Sequence, residues 1–288
     1  MYPAKFEYYR AGNVQEAVSL LQQHSGAKVL AGGHSLVPTM KLRLAQPPAL
    51  VDIGRIPELV GVTRTDGSIR VGALTTHDAL AKSDVLQQHC QVLAEAAGQV
   101  GDREVRHKGT IGGNLAHADP ASDLPAVVLA LGGVVHTAGV GGSRQINAAD
   151  FFVDLLTTDL QADEILTAVE APVLGSNTGS CYLKFEHPAS GYAICGAAAV
   201  VTLAGDGTCE SASLCFNGVT ATPHNAGAVT SALAGKALDD AAIDQAVDDN
   251  LSIQDPMGDI HASGPYRVEL AKVFGKRALK LARDRAQG

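Results

Sequence analysis

The five cysteines of this chain, Cys90, Cys181, Cys195, Cys209 and Cys215, are odd in number and include no C-x-x-C pair. That excludes a disulfide framework and leaves no cradle for an iron–sulfur cluster or a zinc ion. It fits a reducing compartment. Basic residues are also scarce: 22 Lys and Arg stand against 30 Asp and Glu, a net charge of −8. No basic face is therefore expected for nucleic acid or an anionic membrane surface. No uncharged apolar run approaches the roughly 20 residues of a membrane span, and Met1 to Glu7 has no signal-peptide architecture. The expected location is cytoplasmic, with no transmembrane segment. Repeats and low-complexity tracts are missing. Charged residues make up only 18% and hydrophobic residues 46%, the balance of a globular chain and not a disordered one. At 288 residues it can build two or three compact regions.

What is present is a pair of Gly-Gly segments, Ala31-Gly32-Gly33-His34-Ser35-Leu36 and Thr110-Ile111-Gly112-Gly113-Asn114. Each combines the glycines with a small hydroxyl residue, chemistry that lets backbone N–H groups approach an anion. Neither is a G-x-G-x-x-G or a G-x-x-x-x-G-K-S/T, so the common dinucleotide and nucleoside-triphosphate signatures are lacking. Two such loops suggest one phosphorylated ligand gripped from two sides.

The flanking pattern predicts a helix over 13–24, with Val14, Ala17, Val18 and Leu21 at helical spacing and Asn13 as N-cap. A short strand at 28–31 leads into the first Gly-Gly segment. Ser35 opens a helix through Met40 to Leu44, with Pro38 in its first turn, and 49–53 is a strand. A hairpin is expected over 61–72 around Asp66-Gly67, then helices at 76–81 and 83–100. The second segment falls in a long aperiodic loop, 101–125. Strands are expected at 129–135, 144–146 and 165–169. Composition shifts at 174–179. Beyond it, strands at 181–186, 194–203 and 209–217 form a three-stranded antiparallel sheet, the last with one buried face and one lightly covered. Helices follow at 225–234, 239–250 and 265–286.

The two Gly-Gly motifs, the run Asp119-Pro120-Ala121-Ser122-Asp123-Leu124-Pro125 and Glu164-Ile165-Leu166 resemble, in this order and spacing, the FAD-binding medium subunits of the molybdenum hydroxylases. These include the medium subunits of carbon monoxide dehydrogenase and of bacterial N-heterocycle hydroxylases; the flavin domain of xanthine dehydrogenase is more distant. The resemblance covers the whole chain, including Gly264-Pro265-Tyr266-Arg267 and Lys276-Arg277-Ala278. It implies an α+β fold: a two-part α/β FAD-binding region of the vanillyl-alcohol-oxidase type (1–55 and 56–175), then a C-terminal domain (176–288).

The resemblance also assigns residues. Val29, Leu30, Ala31, Gly32, Gly33, His34, Ser35 and Leu36 match the segment wrapping the FAD pyrophosphate. Thr110, Ile111, Gly112, Gly113 and Asn114 match the one closing on it from the second part. Asp123 matches a carboxylate at the sugar end; read alone, it is a helix cap. Val100 and Leu166 match apolar cofactor contacts, Lys184 a lysine that reaches the flavin, and Tyr192 an aromatic cover over the ring. Read alone, these are core residues, a solvated strand lysine and a packed tyrosine. His34, His107 and His117 lack metal-ligand spacing, and His34 is placed to bond a phosphate oxygen. The run Lys184-Phe185-Glu186-His187-Pro188-Ala189-Ser190 is less basic than in the carbon monoxide type, which leans toward an N-heterocycle or another organic substrate.

The function implied is that of an electron-transfer flavoprotein. A large subunit would carry the molybdopterin cofactor and a small one the [2Fe–2S] clusters, assembled as a dimer of heterotrimers. The lack of a cysteine cluster suits that division. A stand-alone FAD oxidase or reductase, or a non-enzymatic nucleotide-binding module, are the other readings.

Overall fold

The computed structural model describes residues 1–288. Near the N-terminus, strands Glu7–Arg10, Lys28–Leu30 and Ala49–Asp52 form a parallel sheet with Ala49–Asp52 in the middle. Helix Val14–Gln23 lies between the first two strands, and Asn13 caps it by accepting from the Glu16 N–H. Its stripe Val14, Ala17, Val18 and Leu21 is buried, the periodicity seen in the sequence. The Glu7–Arg10 strand has no such signature. Its residues are exposed or half-buried, and only backbone pairing to the central strand makes it one. The next helix, Leu36–Lys41, stops short of Leu44 because Arg43 turns left-handed at φ 60°.

A five-stranded sheet follows, ordered Val62–Arg64, Ser68–Gly72, Ile165–Pro172, Val134–Gly139 and Gly142–Asn147. Its central strand arrives last in sequence. A bulge between Leu166 and Ala168 interrupts its pairing with Val134–Gly139, while on its other edge the Thr167 carbonyl accepts the Ala73 N–H at 3.0 Å. The expected helix over 83–100 is two, Asp84–His89 and Gln91–Gln99, broken at the fully buried Cys90.

Two expectations fail here. The stretch 101–125 is not a structureless loop. It holds helices Arg103–Lys108 and Ile111–His117, capped by the side chains of Asp102 and Thr110, and the start of a third. The expected strand at 129–135 breaks up: 129–130 close that third helix, Asp123–Ala130, and only 134–135 belong to a strand, Val134–Gly139. Buried on nearly all sides, this helix shows no amphipathic period to read.

The C-terminal sheet has four antiparallel strands in sequence order: Thr178–Glu186, Ala193–Leu203, Cys209–Asn217 and the short His224–Asn225. The expected start of a helix at Asn225 is this fourth strand, and the helix begins at Gly227. One sheet face, with Cys181, Ala197, Leu214 and Phe216, packs beneath helix Gly264–Gln287. The other face was expected to be lightly covered. Instead Tyr182, Ala198 and Cys215 join the core of the second region, against helices Gln91–Gln99 and Asp123–Ala130. Successive residues of the strands therefore serve two different cores.

Candidate functional site

The first Gly-Gly segment leaves the parallel sheet with its donors unspent. None of the backbone N–H groups of Gly32, Gly33, His34, Ser35 and Leu36 meets an acceptor within the protein. The Ser35 hydroxyl makes no cap bond. The His34 imidazole turns back, Nδ1 lying 3.0 Å from the Gly32 carbonyl. A run of N–H groups without acceptors, on residues that line a cavity, can serve as an anion cradle.

The second segment is different, and corrects the expectation that both offer backbone donors. Ile111 donates to the Thr75 carbonyl at 3.1 Å and Gly112 to that of Ala73 at 2.9 Å. Gly113 donates to the Thr110 hydroxyl at 3.2 Å and Asn114 to the Thr110 carbonyl at 2.9 Å. What remains free is the Thr110 hydroxyl proton and the Asn114 side-chain NH2, whose partner oxygen accepts from Ser122 at 2.7 Å.

The glycines also have reasons other than ligand approach. A Cβ on Gly32 would overlap the Lys108 carbonyl oxygen, so the two regions touch backbone to backbone there. Gly33 sits at φ +74°, a left-handed conformation that favours glycine. A Cβ on Gly112 would come within 2.6 Å of the Ala73 Cβ.

Between these segments lies a cavity of about 870 Å³. Of the eighteen residues singled out in the sequence, all but Leu30, Ile111 and Lys184 line it. Ile111 is fully buried beneath it. Two cavity residues without a sequence signal are His77 and Gln161. His77 is 2% exposed, its Nδ1 has no partner, and burial, aided by the Arg106 charge, lowers its pKa to about 4. It is a neutral ring in the wall. The segment carrying Gln161 is clamped by Arg144, which bonds Asp159 and Glu164 at 2.6–2.7 Å.

Asp123 opens its helix but does not cap it: the helix has no side-chain cap bond at Ser122, and the Asp123 carboxylate turns inward. It is 4% exposed and accepts from the Tyr182 hydroxyl at 2.7 Å and from the Lys184 ammonium at 3.2 Å. Burial pushes it up to about 6, against the pull of Lys184 and Tyr182. Lys184 is not a solvated lysine. Its side chain is 2% exposed and it stands behind Asp123, out of the cavity. Tyr192 is half exposed at the rim, in a turn where the His187 carbonyl accepts from Gly191 and the His187 N–H donates to the Tyr192 carbonyl. The five cysteines are free and buried, and no group of three or more His, Cys, Asp or Glu is arranged to hold a metal. No helix is long and apolar enough to cross a membrane.

Residues 4–174 match the family model described as the FAD binding domain in molybdopterin dehydrogenase, and residues 180–282 the CO dehydrogenase flavoprotein C-terminal domain. The carbon monoxide dehydrogenase medium chain of Afipia carboxidovorans is 38% identical over 288 residues, 100% of both chains. The glyceraldehyde dehydrogenase medium chain of Sulfolobus acidocaldarius is 35% identical, covering 97% of this chain and 99% of its own. The solved carbon monoxide dehydrogenase from Hydrogenophaga pseudoflava superposes with a TM-score of 0.95 at 38% identity, over 99% of each chain. Relatives named for substrates as unlike as carbon monoxide and glyceraldehyde stand at similar identity, so the leaning toward an N-heterocycle gains nothing from them. The chain belongs to the FAD-binding medium subunits of the molybdenum hydroxylases, an oxidoreductase family.

Proposed function

We propose that this chain relays electrons, holding FAD between [2Fe–2S] clusters of a small partner subunit and an external acceptor. Substrate is oxidised at a molybdenum centre in a large subunit, and the three subunits assemble as a dimer of heterotrimers. The observation that carries the reading is the row of unspent N–H groups from Gly32 to Leu36, on residues lining a cavity of dinucleotide size where the three regions meet. The residues fit FAD. The cradle and the Ser35 hydroxyl would take the pyrophosphate, each charge-assisted bond contributing about 1.5–3 kcal/mol. Thr110 and Asn114 would add side-chain donors from the other side. Asp123, acceptor-only when ionised, suits a hydroxyl of the sugar or ribityl chain. Val100 and Leu166 supply apolar wall, and Tyr192 an aromatic surface at the mouth.

Bound FAD supplies the redox chemistry, exchanging electrons singly or in pairs. The chain binds and orients it, and shields part of it from water. The same reading divides the chain into 1–55, 56–175 and 176–288, although the first core already draws in Leu74, Ala138 and Ile165 from the second part.

The test is purification from the native source. Expected are flavin absorbance and two co-purifying subunits, one with iron–sulfur and one with molybdenum. A colourless protein would remove the FAD assignment. Substrate turnover by the isolated FAD-loaded chain would instead favour the stand-alone oxidase.

A further inference from the structure

Lys184 projects from strand Thr178–Glu186, and its ammonium spends every donor inside the protein. It donates to the Gln99 carbonyl at 2.7 Å, to the Gly191 carbonyl at 2.7 Å, and to the Asp123 carboxylate at 3.2 Å to Oδ1 and 3.4 Å to Oδ2. The three partners belong to three separate segments of the cavity wall. Gln99 ends a helix and precedes Val100. Asp123 opens another helix. Gly191 precedes Tyr192. Val100, Asp123 and Tyr192 line the cavity while Lys184 does not. Its three N–H donors thus have three acceptors in place within the protein.

Asp123 has a second support. The Tyr182 hydroxyl lies 2.7 Å from Asp123 Oδ1, and the Asn217 side-chain amide 3.1 Å from the same hydroxyl. A hydroxyl has one proton, and an ionised carboxylate can only accept, so the proton points to Asp123. The group of Asn217 that faces Tyr182 is then its NH2. That orientation also gives a partner to an amide nitrogen otherwise buried without one.

We propose that Lys184 is a positioning residue: its ammonium fastens the wall segments carrying Val100, Asp123 and Tyr192, while Tyr182 and Asn217 hold the Asp123 carboxylate as acceptor for a hydroxyl of the bound dinucleotide. This rests on the FAD reading above. The charged and titratable groups facing Asp123 are Lys184, Tyr182, Glu186 and Tyr192. Of these Lys184 is the one cation. Removing it leaves a buried carboxylate without its counter-charge, which then takes up a proton and becomes a donor at higher pH.

The experiment is FAD binding to the full-length apo-protein across the carboxylate's titration, read by flavin fluorescence, with iodide quenching as a measure of flavin exposure. In the parent, affinity rises as Asp123 ionises. Lys184→Met shifts that midpoint up by about one unit. It weakens binding at neutral pH about tenfold, and it raises iodide quenching because the Tyr192 turn is unfastened. Tyr182→Phe, which keeps the ring and the ion pair, shifts the midpoint up by less. It decides the matter if Lys184→Met does not fold. Asp123→Asn abolishes the midpoint. Variants with the parent's midpoint, quenching and affinity to within about twofold overturn the positioning role. A parent that binds no FAD overturns the FAD reading instead.

Discussion

At the scale of single residues, His77 makes the sharpest demand on pH. Its ring is neutral in the fold, lowered to about 4, but titrates near 6.5 once unfolded. A base with a depressed folded pKa contributes stability that is whole above the unfolded value and is lost as pH falls toward the folded one. Acidifying from pH 7 to pH 5 should therefore remove about 2 kcal/mol through His77 alone. Asp123 has the opposite sign: raised to about 6, its contribution is present below its unfolded value near 4 and lost as pH rises through 6. The two slopes oppose each other between roughly pH 4 and 6. Comparing the parent with His77→Phe by urea unfolding at the two pH values isolates the histidine. The variant should lose about 2 kcal/mol less, and equal slopes would show that His77 is not the group responsible. Nothing in the sequence marks His77. A histidine in the first turn of a helix is ordinary, and only the Gly109 backbone closing over its ring makes it a wall residue.

At the scale of elements, the two Gly-Gly motifs were legible, but only half of their physics was. The first is the strand–helix turn that the pattern implies, with open donors. The second is the first turn of a helix, hidden because Thr110 caps it and two glycines weaken its helical signature. Contact between the motifs was not legible at all, since it depends on the Lys108 carbonyl arriving against Gly32. It makes Gly32→Ala a test of how two elements approach. The added methyl forces the Arg103–Lys108 helix and the first segment apart, destabilising by about 1–3 kcal/mol. The flavin-to-protein ratio after purification should fall with the melting temperature. An unchanged ratio would mean that the cradle does not depend on this contact. The Asp123–Ala130 helix was misread for a related reason: a helix covered on all sides loses the periodic contrast by which helices are recognised.

At the scale of the whole molecule, the cavity is walled by all three regions: Gly33 from the first, Asn114 and Leu166 from the second, Tyr192 from the third. A ligand seated there binds only the assembled chain. Free FAD at about 100 times its dissociation constant should add about 2.7 kcal/mol to unfolding. Because the regions share cores, it should raise one common transition. Calorimetry that resolves two transitions, with only one moved by FAD, would contradict this. The three long antiparallel strands of the third region were readable in the sequence, but the short fourth strand and the double use of the others were not, because Ala198 and Cys215 look unremarkable until a second core meets them.

That double use limits how this chain can be divided. The two family models meet near residue 175, the natural place for a gene fusion or an expression boundary. A cut there would strip Tyr182, Ala198 and Cys215 of their cover. It would also leave helices Gln91–Gln99 and Asp123–Ala130 with bare apolar flanks, an invitation to aggregation on both sides. The modules are separable in the text of the sequence and inseparable as material, so the subunit should be inherited, expressed and exchanged only as one piece.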